Sequence, residues 1–276
     1  GAMEVLSMDE VESHLALGEL ELDGGIRRVA GVLPTALQAL EKNMVLICPA
    51  DNASEAAWVE GLQIIACPDL LALMNHLKGK QMLSPPIPVI AERAAITKDL
   101  SDIKGQSLAK RALEIAAAGG HNLLMMGPPG SGKSILAECL PTILPTLDPE
   151  EALELTCIYS VAGLLPDGKL LRERPFRNPH HSASKVSLIG GGIKVQPGEI
   201  SLAHNGVLFL DEFPEYARDT LESLRQPMES GKAVISRANA HVTFPSKFQL
   251  IAAMNPCKCG YFNTPRALCR AQKNCA

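Results

Sequence analysis

The first 80 positions alternate between short apolar runs and segments with helical spacing of apolar residues. The runs at 44–47 and 62–66 have the length and composition of buried strands. The segments at 52–60 and 69–77 gather apolar residues on one face, and each begins at a residue type that caps helices, Asn or Asp. This alternation predicts a small α/β unit.

The rest of the chain repeats the alternation with longer segments. A helical segment rich in Ala and Leu at 106–118 ends at two glycines. Strand-length apolar runs follow at 123–126, 207–210 and 250–254. Helices are predicted at 134–140, from 148 onward and at 219–230. Strands that alternate with helices predict a three-layer α/β fold, in which helices cover both faces of a parallel sheet.

Other stretches break the alternation. Prolines and a glycine between 78 and 88 forbid a continuous helix and indicate a linker. From 168 to 198, prolines and glycine runs predict extended loops or a β-hairpin inserted into the α/β scaffold, and a second hairpin is predicted at 233–244. The predicted organisation is a first domain at 1–80, a linker at 81–95 and a second domain at 96–276.

The strand at 123–126 leads directly into the sequence G-P-P-G-S-G-K-S, and a helix is predicted to follow. Such a loop turns its backbone N–H groups onto phosphate oxygens, its lysine reaches the β- and γ-phosphates, and its last hydroxyl binds Mg²⁺. The predicted ATP-binding residues are Gly127, Pro128, Pro129, Gly130, Ser131, Gly132, Lys133 and Ser134.

Two later strands end in polar residues that suit phosphoryl transfer to water. Asp211 follows the strand at 207–210 and is predicted to bind Mg²⁺ with Ser134, whereas Glu212 is the candidate for activating water. Asn255 follows the strand at 250–254, where its amide would contact the γ-phosphate or the water. The plain alternatives are a helix cap for the acidic pair and a turn residue for the asparagine.

Composition narrows the class of protein. Hydrophobic residues make up 46% and charged residues 20% of 276, which is ordinary for a globular protein. No apolar run has the length of a membrane span and no secretory signal is recognisable, which predicts a cytoplasmic protein without membrane association. The net charge of −4 gives no general attraction for nucleic acid, so any such binding needs a local patch.

Positive charge is concentrated on the two predicted hairpins. The stretch 169–194 holds six basic residues and one acid, a net charge of +5, and 232–247 holds three basic residues and no acid. Backbone phosphates of DNA would be held there without sequence readout. A solvated loop surface or contacts between subunits would produce the same pattern. The candidate nucleic-acid contacts are Arg172, Arg174, Arg177, Lys185, Lys194 and Arg237.

Histidines and cysteines supply two further candidate sites. His180 and His181 are adjacent, and neighbouring side chains of an extended chain point in opposite directions, so polar anchoring is favoured over a shared metal. Four cysteines crowd the C-terminal end and could hold Zn²⁺, although their spacing departs from paired C-x2-C motifs and unligated thiols are the alternative. These residues are Cys257, Cys259, Cys269 and Cys275.

The motifs resemble known ATPases. The P-loop, L-F-L-D-E at 208–212 and A-A-M-N-P at 252–256 resemble AAA+ ATPases. R-P-F-R-N-P-H-H-S at 174–182, the run at 190–212 and A-H-V-T-F-P at 240–245 resemble the ComM/YifB group of magnesium-chelatase-like ATPases. The resemblance covers about residues 15–276 and implies an AAA+ fold, with ATP and Mg²⁺ as cofactors.

The resemblance also implies a homohexameric ring that acts as a DNA helicase or translocase, driving branch migration on single-stranded or branched DNA during natural transformation. It implies that the first domain is part of a Lon-protease-like domain, but 30–35 lack the lysine of a Ser–Lys dyad, so proteolysis is not expected. Relatives carry an arginine finger and a helical lid in a later segment. Without the finger, this chain alone is expected to hydrolyse ATP about 10³-fold more slowly.

Two other functions fit the same sequence. The first is an ATP-dependent protein remodeller, like the motor subunit of magnesium chelatase. Basic, glycine-rich loops favour DNA over it, because remodellers grip polypeptides with aromatic loops. The second is a nucleotide switch with little turnover, which the presence of Glu212 disfavours.

Overall fold

The computed structural model describes residues 12–89, 98–237, 240–257 and 259–260. The chain forms two compact units. The first contains the chain up to Arg93 together with Ala152–Leu171, and the second contains Ala94–Glu151 and the chain from Arg172 onward. The sequence pattern placed 152–171 in the second domain. The structure groups this segment with the first unit, because Leu153 and Cys157 pack against that unit's core.

The first unit is built on a three-stranded parallel sheet with strand order β1-β4-β5. β4 and β5 lie close to the runs predicted at 44–47 and 62–66, and alternate residues along these strands are buried. The strand β1 was not predicted. The elements are β1 His14–Ala16, β2 Glu19–Leu20, β3 Ile26–Arg27, α1 Val32–Glu41, β4 Val45–Pro49, α2 Ala53–Ala56, β5 Ile64–Cys67 and α3 Leu70–Leu77, with a 3₁₀ turn at Ala50–Asn52.

The two predicted caps of this unit behave differently. Asp69 caps α3, accepting a hydrogen bond from the Ala72 amide at 2.7 Å. Asn52 makes no capping bond. Its side chain is buried and bonds the amide and carbonyl of Val29 and a carboxylate oxygen of Glu55, each at 3.0 Å. The helix predicted at 52–60 is therefore only four residues long. Asn52, which was predicted to cap it, instead bonds Val29 in the connection between β3 and α1.

The second unit carries a four-stranded, all-parallel sheet with strand order β6-β13-β10-β7. Its helices are α4 Ser107–Gly119, α5 Lys133–Glu138, α6 Leu140–Ile143, α8 Lys185–Ile189, α9 Glu199–Leu202, α10 Arg218–Glu222 and α11 Arg225–Ser230. Its strands are β6 Leu123–Met126, β7 Phe176–Arg177, β8 Gly190–Gly191, β9 Gln196–Pro197, β10 Val207–Leu210, β11 Lys232–Arg237, β12 Ala240–Pro245 and β13 Gln249–Met254. Helix α7, Pro149–Ala162, begins in this unit, and its residues from Ala152 onward belong to the first unit.

All four residues of β10 are buried, so both faces of the sheet are covered. On one face, Val207 and Phe209 of β10 join Leu113 of α4 and Leu136 of α5 in a single core. This arrangement confirms the predicted α/β fold with a parallel sheet. Buried central strands favour continuous apolar runs, which is why β10 and β13 were visible in the sequence. The edge strand β6 is apolar as well, although Leu124 and Met126 are exposed.

The inserted segments agree with the sequence pattern less closely. The hairpin predicted within 168–198 consists only of β8 and β9, two residues each, and α8 precedes it. β7 joins the main sheet beside β10. The second hairpin has the predicted position, with β11 and β12 paired along six residues each. The helix predicted at 219–230 is divided into α10 and α11.

Candidate functional site

The phosphate-binding sequence occupies the loop between β6 and α5, as its pattern predicted. Gly130 and Gly132 have φ values of 73° and 83°, which side chains other than glycine rarely adopt. A Cβ on Gly127 would lie 3.0 Å from the Ser131 hydroxyl oxygen. Small residues therefore allow the backbone of this loop to curve tightly ahead of α5.

Lys133 lies at the start of α5 and donates to three oxygens inside the loop and beyond it. Its Nζ is 2.9 Å from the Gly127 carbonyl, 3.1 Å from the Pro128 carbonyl and 3.1 Å from Asn255 Oδ1. The bond to Asn255 links the loop to the end of β13. The structure therefore brings together two residues that are 122 positions apart and that the sequence assigned to one site.

Ser134 and Asp211 are in direct contact. The Ser134 hydroxyl donates to Asp211 Oδ2 at 2.7 Å, and the amide of Glu212 donates to Asp211 Oδ1 at 2.9 Å. The contact exists because α5 follows β6, while Asp211 directly follows β10 in the same parallel sheet. A hydroxyl and a carboxylate at this distance are the oxygen donor set that Mg²⁺ prefers.

A cavity of about 360 Å³ opens beside these contacts. It is lined by Pro129, Gly130, Ser131, Gly132, Lys133, Ser134, Ile135, Asp211, Glu212, Met254 and Asn255. The Ser131 hydroxyl is buried here without a hydrogen-bond partner among the described residues. An unpaired buried donor beside a lysine and a glycine-rich turn fits a phosphate group, so the residues present suit ATP and Mg²⁺.

Glu212 lies at the rim of this cavity with its backbone in the left-handed region, at φ 50°. Its side chain is 54% exposed, and one carboxylate oxygen lies 2.9 Å from Nδ1 of His181. This contact was not predicted from the sequence. His181 precedes Glu212 by 31 positions, and only the strand order of the sheet brings the two residues together.

The two histidines do not point in opposite directions as predicted. The ring centroids of His180 and His181 are 4.1 Å apart with a tilt of 35°. The chain turns after His180, whose Nδ1 is 2.8 Å from the Ser182 hydroxyl. The expectation failed because it assumed an extended backbone.

Tyr216 bonds the chain just before the two histidines and lies close to a carboxylate of the site. Its hydroxyl donates to the Pro179 carbonyl at 2.5 Å. Burial, followed by the nearby carboxylates of Asp211 and Glu199, raises the pKa of Tyr216 to about 12. Tyr216 therefore stays protonated over the physiological range and retains its donor.

Two of the predicted DNA contacts are engaged within the protein. Arg174 is mostly buried and bonds the Pro145 and Asn205 carbonyls at 2.6 Å and Glu151 at 2.9 Å. Arg177 forms a two-pronged ion pair with Glu199 at 2.7 and 2.9 Å. Their predicted role is therefore revised, because these guanidinium groups connect elements of the second unit.

The remaining basic candidates differ in position. Arg172, Lys185 and Lys194 are exposed. Lys185 begins α8 instead of lying on a hairpin, whereas Lys194 lies between β8 and β9 beside Ile193, whose side chain is fully exposed. Arg237 ends β11, and its side chain lies outside the described residues.

The cysteine cluster is only half described. The sulfurs of Cys257 and Cys259 are 3.2 Å apart, in a turn that contacts the P-loop. A Cβ on Gly260 would lie 2.4 Å from the ring of Pro129. Cys269 and Cys275 lie outside the described residues. Within the described ranges no three His, Cys, Asp or Glu side chains are grouped as metal ligands, so the predicted Zn²⁺ site has no structural support.

The chain matches two family models. The model described as magnesium chelatase, subunit ChlI, matches residues 99–276, and a second, described as subunit ChlI of Mg-chelatase, matches residues 2–52. The chain is 45% identical to the uncharacterized protein YifB of Escherichia coli K12 over 99% of this chain and 54% of that protein. It is also 45% identical to the competence protein ComM of Haemophilus influenzae, over 95% and 52%.

More distant similarities extend to magnesium chelatase itself. The 67 kDa subunit of Chlorobaculum parvum is 28% identical over 56% of this chain and 23% of that subunit. A chain of the magnesium chelatase BchI–BchD complex, reconstructed by cryo-EM, covers 58% of this chain and 55% of its own length at 25% identity and a TM-score of 0.47.

The chain spans about half the length of the curated relatives it matches. In the described part of the chain, no helix is both long enough and apolar enough to cross a bilayer. The first family model covers more than half of the chain, and its span contains the P-loop, Asp211, Glu212 and Asn255. The chain therefore belongs to the magnesium chelatase ChlI family of AAA+ ATPases.

Proposed function

We propose that this chain forms the ATP-hydrolysing part of a hexameric AAA+ motor that moves along DNA. The observation that carries the ATPase half is the meeting of Lys133, Ser134, Asp211, Glu212 and Asn255 around one cavity. Bound ATP with Mg²⁺ supplies the phosphoanhydride and the charge neutralisation that phosphoryl transfer requires. The residues of this chain supply the remaining roles.

Each residue acts from the position that its element gives it. Lys133 would exchange its three oxygen partners for phosphate oxygens, and Ser134 with Asp211 would hold the metal. Asn255 places its amide beside Lys133 and hence near the γ-phosphate. Glu212, at the rim, orients water and accepts its proton. The buried Ser131 hydroxyl has no hydrogen-bond partner among the described residues, so it can donate one further hydrogen bond to the phosphates.

Glu212→Gln in the full-length protein tests this assignment. The amide keeps the shape of the side chain but accepts a proton far less readily, so the ATPase rate is expected to fall by about 10²-fold or more. ATP affinity, measured with a fluorescent analogue, should stay within about threefold because the phosphate contacts remain. Glu229→Gln on α11 is the matched control, an exposed glutamate outside the cavity lining. Wild-type turnover in the Glu212 variant contradicts the ATPase assignment.

DNA as the track is supported by the exposed charge that remains after Arg174 and Arg177 are set aside. Arg172, Lys185 and Lys194 lie in one segment of the chain, the segment that also carries His181. Phosphate contacts need no base recognition, which suits a motor that moves over any sequence. The competence protein ComM, at 45% identity, favours a role in DNA uptake or recombination, and branch migration is the activity we propose.

Charge reversal tests the DNA contact. Lys185→Glu with Lys194→Glu should weaken DNA binding by the full-length protein about tenfold or more and flatten its dependence on salt, because two phosphate contacts are lost. Lys80→Glu with Lys104→Glu makes the same charge change at exposed positions elsewhere. Binding would be measured by fluorescence anisotropy at several salt concentrations. Equal affinities for the two double variants exclude the segment as a DNA contact.

A protein remodeller is the second candidate function. The observation that favours it is Ile193, an apolar side chain exposed at the tip between β8 and β9, which could grip a polypeptide. ATPase activity of the full-length protein with and without branched DNA separates the two functions. Stimulation supports the DNA motor, and its absence places the remodeller first. Under either function, we propose that the protein is located in the cytoplasm.

Zinc binding by Cys257, Cys259, Cys269 and Cys275 remains a separate hypothesis. Its support comes from the sequence alone, which clusters four thiols, the number of ligands in a tetrahedral Zn²⁺ site. Metal analysis of protein purified without added zinc tests it. Less than about a tenth of an equivalent per chain rejects a four-thiolate site.

A further inference from the structure

His181, which the sequence did not assign to the nucleotide site, lies in direct contact with the catalytic candidate Glu212. Its Nδ1 lies 2.9 Å from Oε2 of Glu212. We propose that His181 is a positioning residue for ATP hydrolysis, which holds the Glu212 carboxylate in the orientation that receives the proton from water. This inference rests on the ATPase function proposed above and assigns a role to the histidine run that follows β7.

Glu212 needs such a partner because of its place in the fold. Its side chain is 54% exposed, and an exposed carboxylate otherwise samples several rotamers. Its backbone is held in the left-handed region at φ 50°, and its amide bonds Asp211, so the peptide is fixed while the side chain is not. The contact of one carboxylate oxygen with His181 Nδ1 at 2.9 Å restricts the orientation of that side chain.

His181 is itself held in place from several directions. β7 is paired with β10, so the chain before the histidines is tied to the strand that directly precedes Asp211. The Tyr216 hydroxyl bonds the Pro179 carbonyl at 2.5 Å, two residues before His181. On the other side, the Ser184 hydroxyl caps α8 by accepting from the Ser187 amide. The backbone that carries the imidazole is therefore held on both sides, and the ring itself lies against the His180 ring, with the two ring centroids 4.1 Å apart.

The chemistry of the contact requires a hydrogen on Nδ1. Either the neutral tautomer protonated at Nδ1 or the imidazolium donates to the carboxylate, and both leave the second oxygen of Glu212 available to water. His181 is absent from the lining of the phosphate cavity, whereas Glu212 is part of it. Loss of the imidazole should therefore lower turnover without weakening ATP binding.

The contact also places the hydrolytic residue next to the segment proposed to bind DNA. His181 precedes Lys185 by four positions, and α8 runs directly into β8 and the turn that carries Lys194. Movement of that segment would move the imidazole and thus the carboxylate. The inference itself does not depend on DNA, because it concerns the orientation of Glu212 in the basal reaction.

Steady-state kinetics of the full-length protein test the proposal. His181→Ala is expected to lower kcat by about 10- to 100-fold, the range for a displaced catalytic group, with KM and ATP affinity within about threefold. His181→Asn places an amide nitrogen near the position of Nδ1 and should restore a substantial part of the rate. His180→Ala, which removes a neighbouring ring bonded to Ser182, should have a much smaller effect.

A double variant separates positioning from general damage to the structure. Once Glu212→Gln has removed the proton acceptor, adding His181→Ala should cost little more, because both changes act on one step. An unchanged or raised kcat in His181→Ala, or equal losses in the Ala and Asn variants, overturns the proposal. If Glu212→Gln alone leaves the wild-type rate intact, the ATPase assignment fails instead, and the inference falls with it.

Discussion

At the scale of single residues, contacts inside the second unit decide which charged groups are available for function. Arg174 and Arg177 lie in the most basic stretch of the chain, yet they bond Glu151 and Glu199. Lys133 donates to backbone carbonyls and Asn255, contacts that phosphate oxygens can replace. The types of these residues can be read from the sequence. Their bonding partners lie in other segments of the chain and were not predicted.

Cysteine pKa values lead to a prediction about the first unit. Burial, followed by nearby negative charge, raises the pKa of Cys48 to about 12 and that of Cys157 to about 11. Because the thiolate is the reactive form, both should resist iodoacetamide at pH 8 in the folded protein. Mass spectrometry of the labelled peptides measures this, with urea-unfolded protein as the control. Rapid labelling of both in the folded state contradicts the burial.

The same shifts set the pH dependence of stability. The folded pKa of each thiol lies above its unfolded value of about 9, so the folded state retains protons that the unfolded state loses as pH rises. The contribution is complete below about pH 9 and is lost between about 9 and 12, by up to about 1.4 kcal/mol per pH unit for each thiol.

At the scale of elements, strands were predicted better than helices and insertions. β6 and β10 have the predicted bounds and β13 begins one residue earlier than predicted. The central strands β10 and β13 were visible because buried parallel strands need unbroken apolar runs. The helices at 52–60 and 219–230 are shortened or divided, because tertiary partners compete with helix propensity. The hairpin within 168–198 depends on glycines whose required geometry is visible only in the structure.

Gly198→Ala should destabilise the small hairpin formed by β8 and β9. A Cβ there would lie 2.3 Å from the Gly190 amide nitrogen, and the surrounding contacts are backbone that cannot move aside. We expect a loss of about 1–3 kcal/mol in the free energy of unfolding, the range for overpacking, measured by denaturant titration. Ile193→Ala at the exposed tip should change it by less than about 0.5 kcal/mol. Equal stability of the two variants contradicts the packing.

At the scale of the whole molecule, two units share one chain, and their boundary is not where composition changes. The segment Ala152–Leu171 returns to the first unit, where Ser160 bonds the buried carboxylate of Glu55. That carboxylate also accepts bonds from the Leu33 amide and Asn52, so its burial is compensated by donors from three parts of the chain. Length and composition could not indicate that a later segment completes an earlier core.

The prediction for the whole molecule concerns its assembly into a ring. In the full-length protein, ATP should convert a smaller species to a hexamer, and Glu212→Gln should hold that hexamer longer because ATP persists. Light scattering coupled to size exclusion measures the mass. Lys133→Ala, which loses contacts to the phosphates, should remain small in ATP. A mass that does not respond to nucleotide in any variant contradicts nucleotide-driven ring formation.

Local sequence was sufficient for the α/β class, three of the four strands of the main sheet and the residues of the phosphate loop, because each depends on short-range pattern: apolar runs, glycines and the residue types at strand ends. The fourth strand, β7, was not predicted. Strand order was decided only by the tertiary structure, and with it the bond of Ser134 to Asp211 and that of Lys133 to Asn255. The same order brought His181 to Glu212. Contacts between residues far apart in the chain depend on packing, which no local pattern encodes.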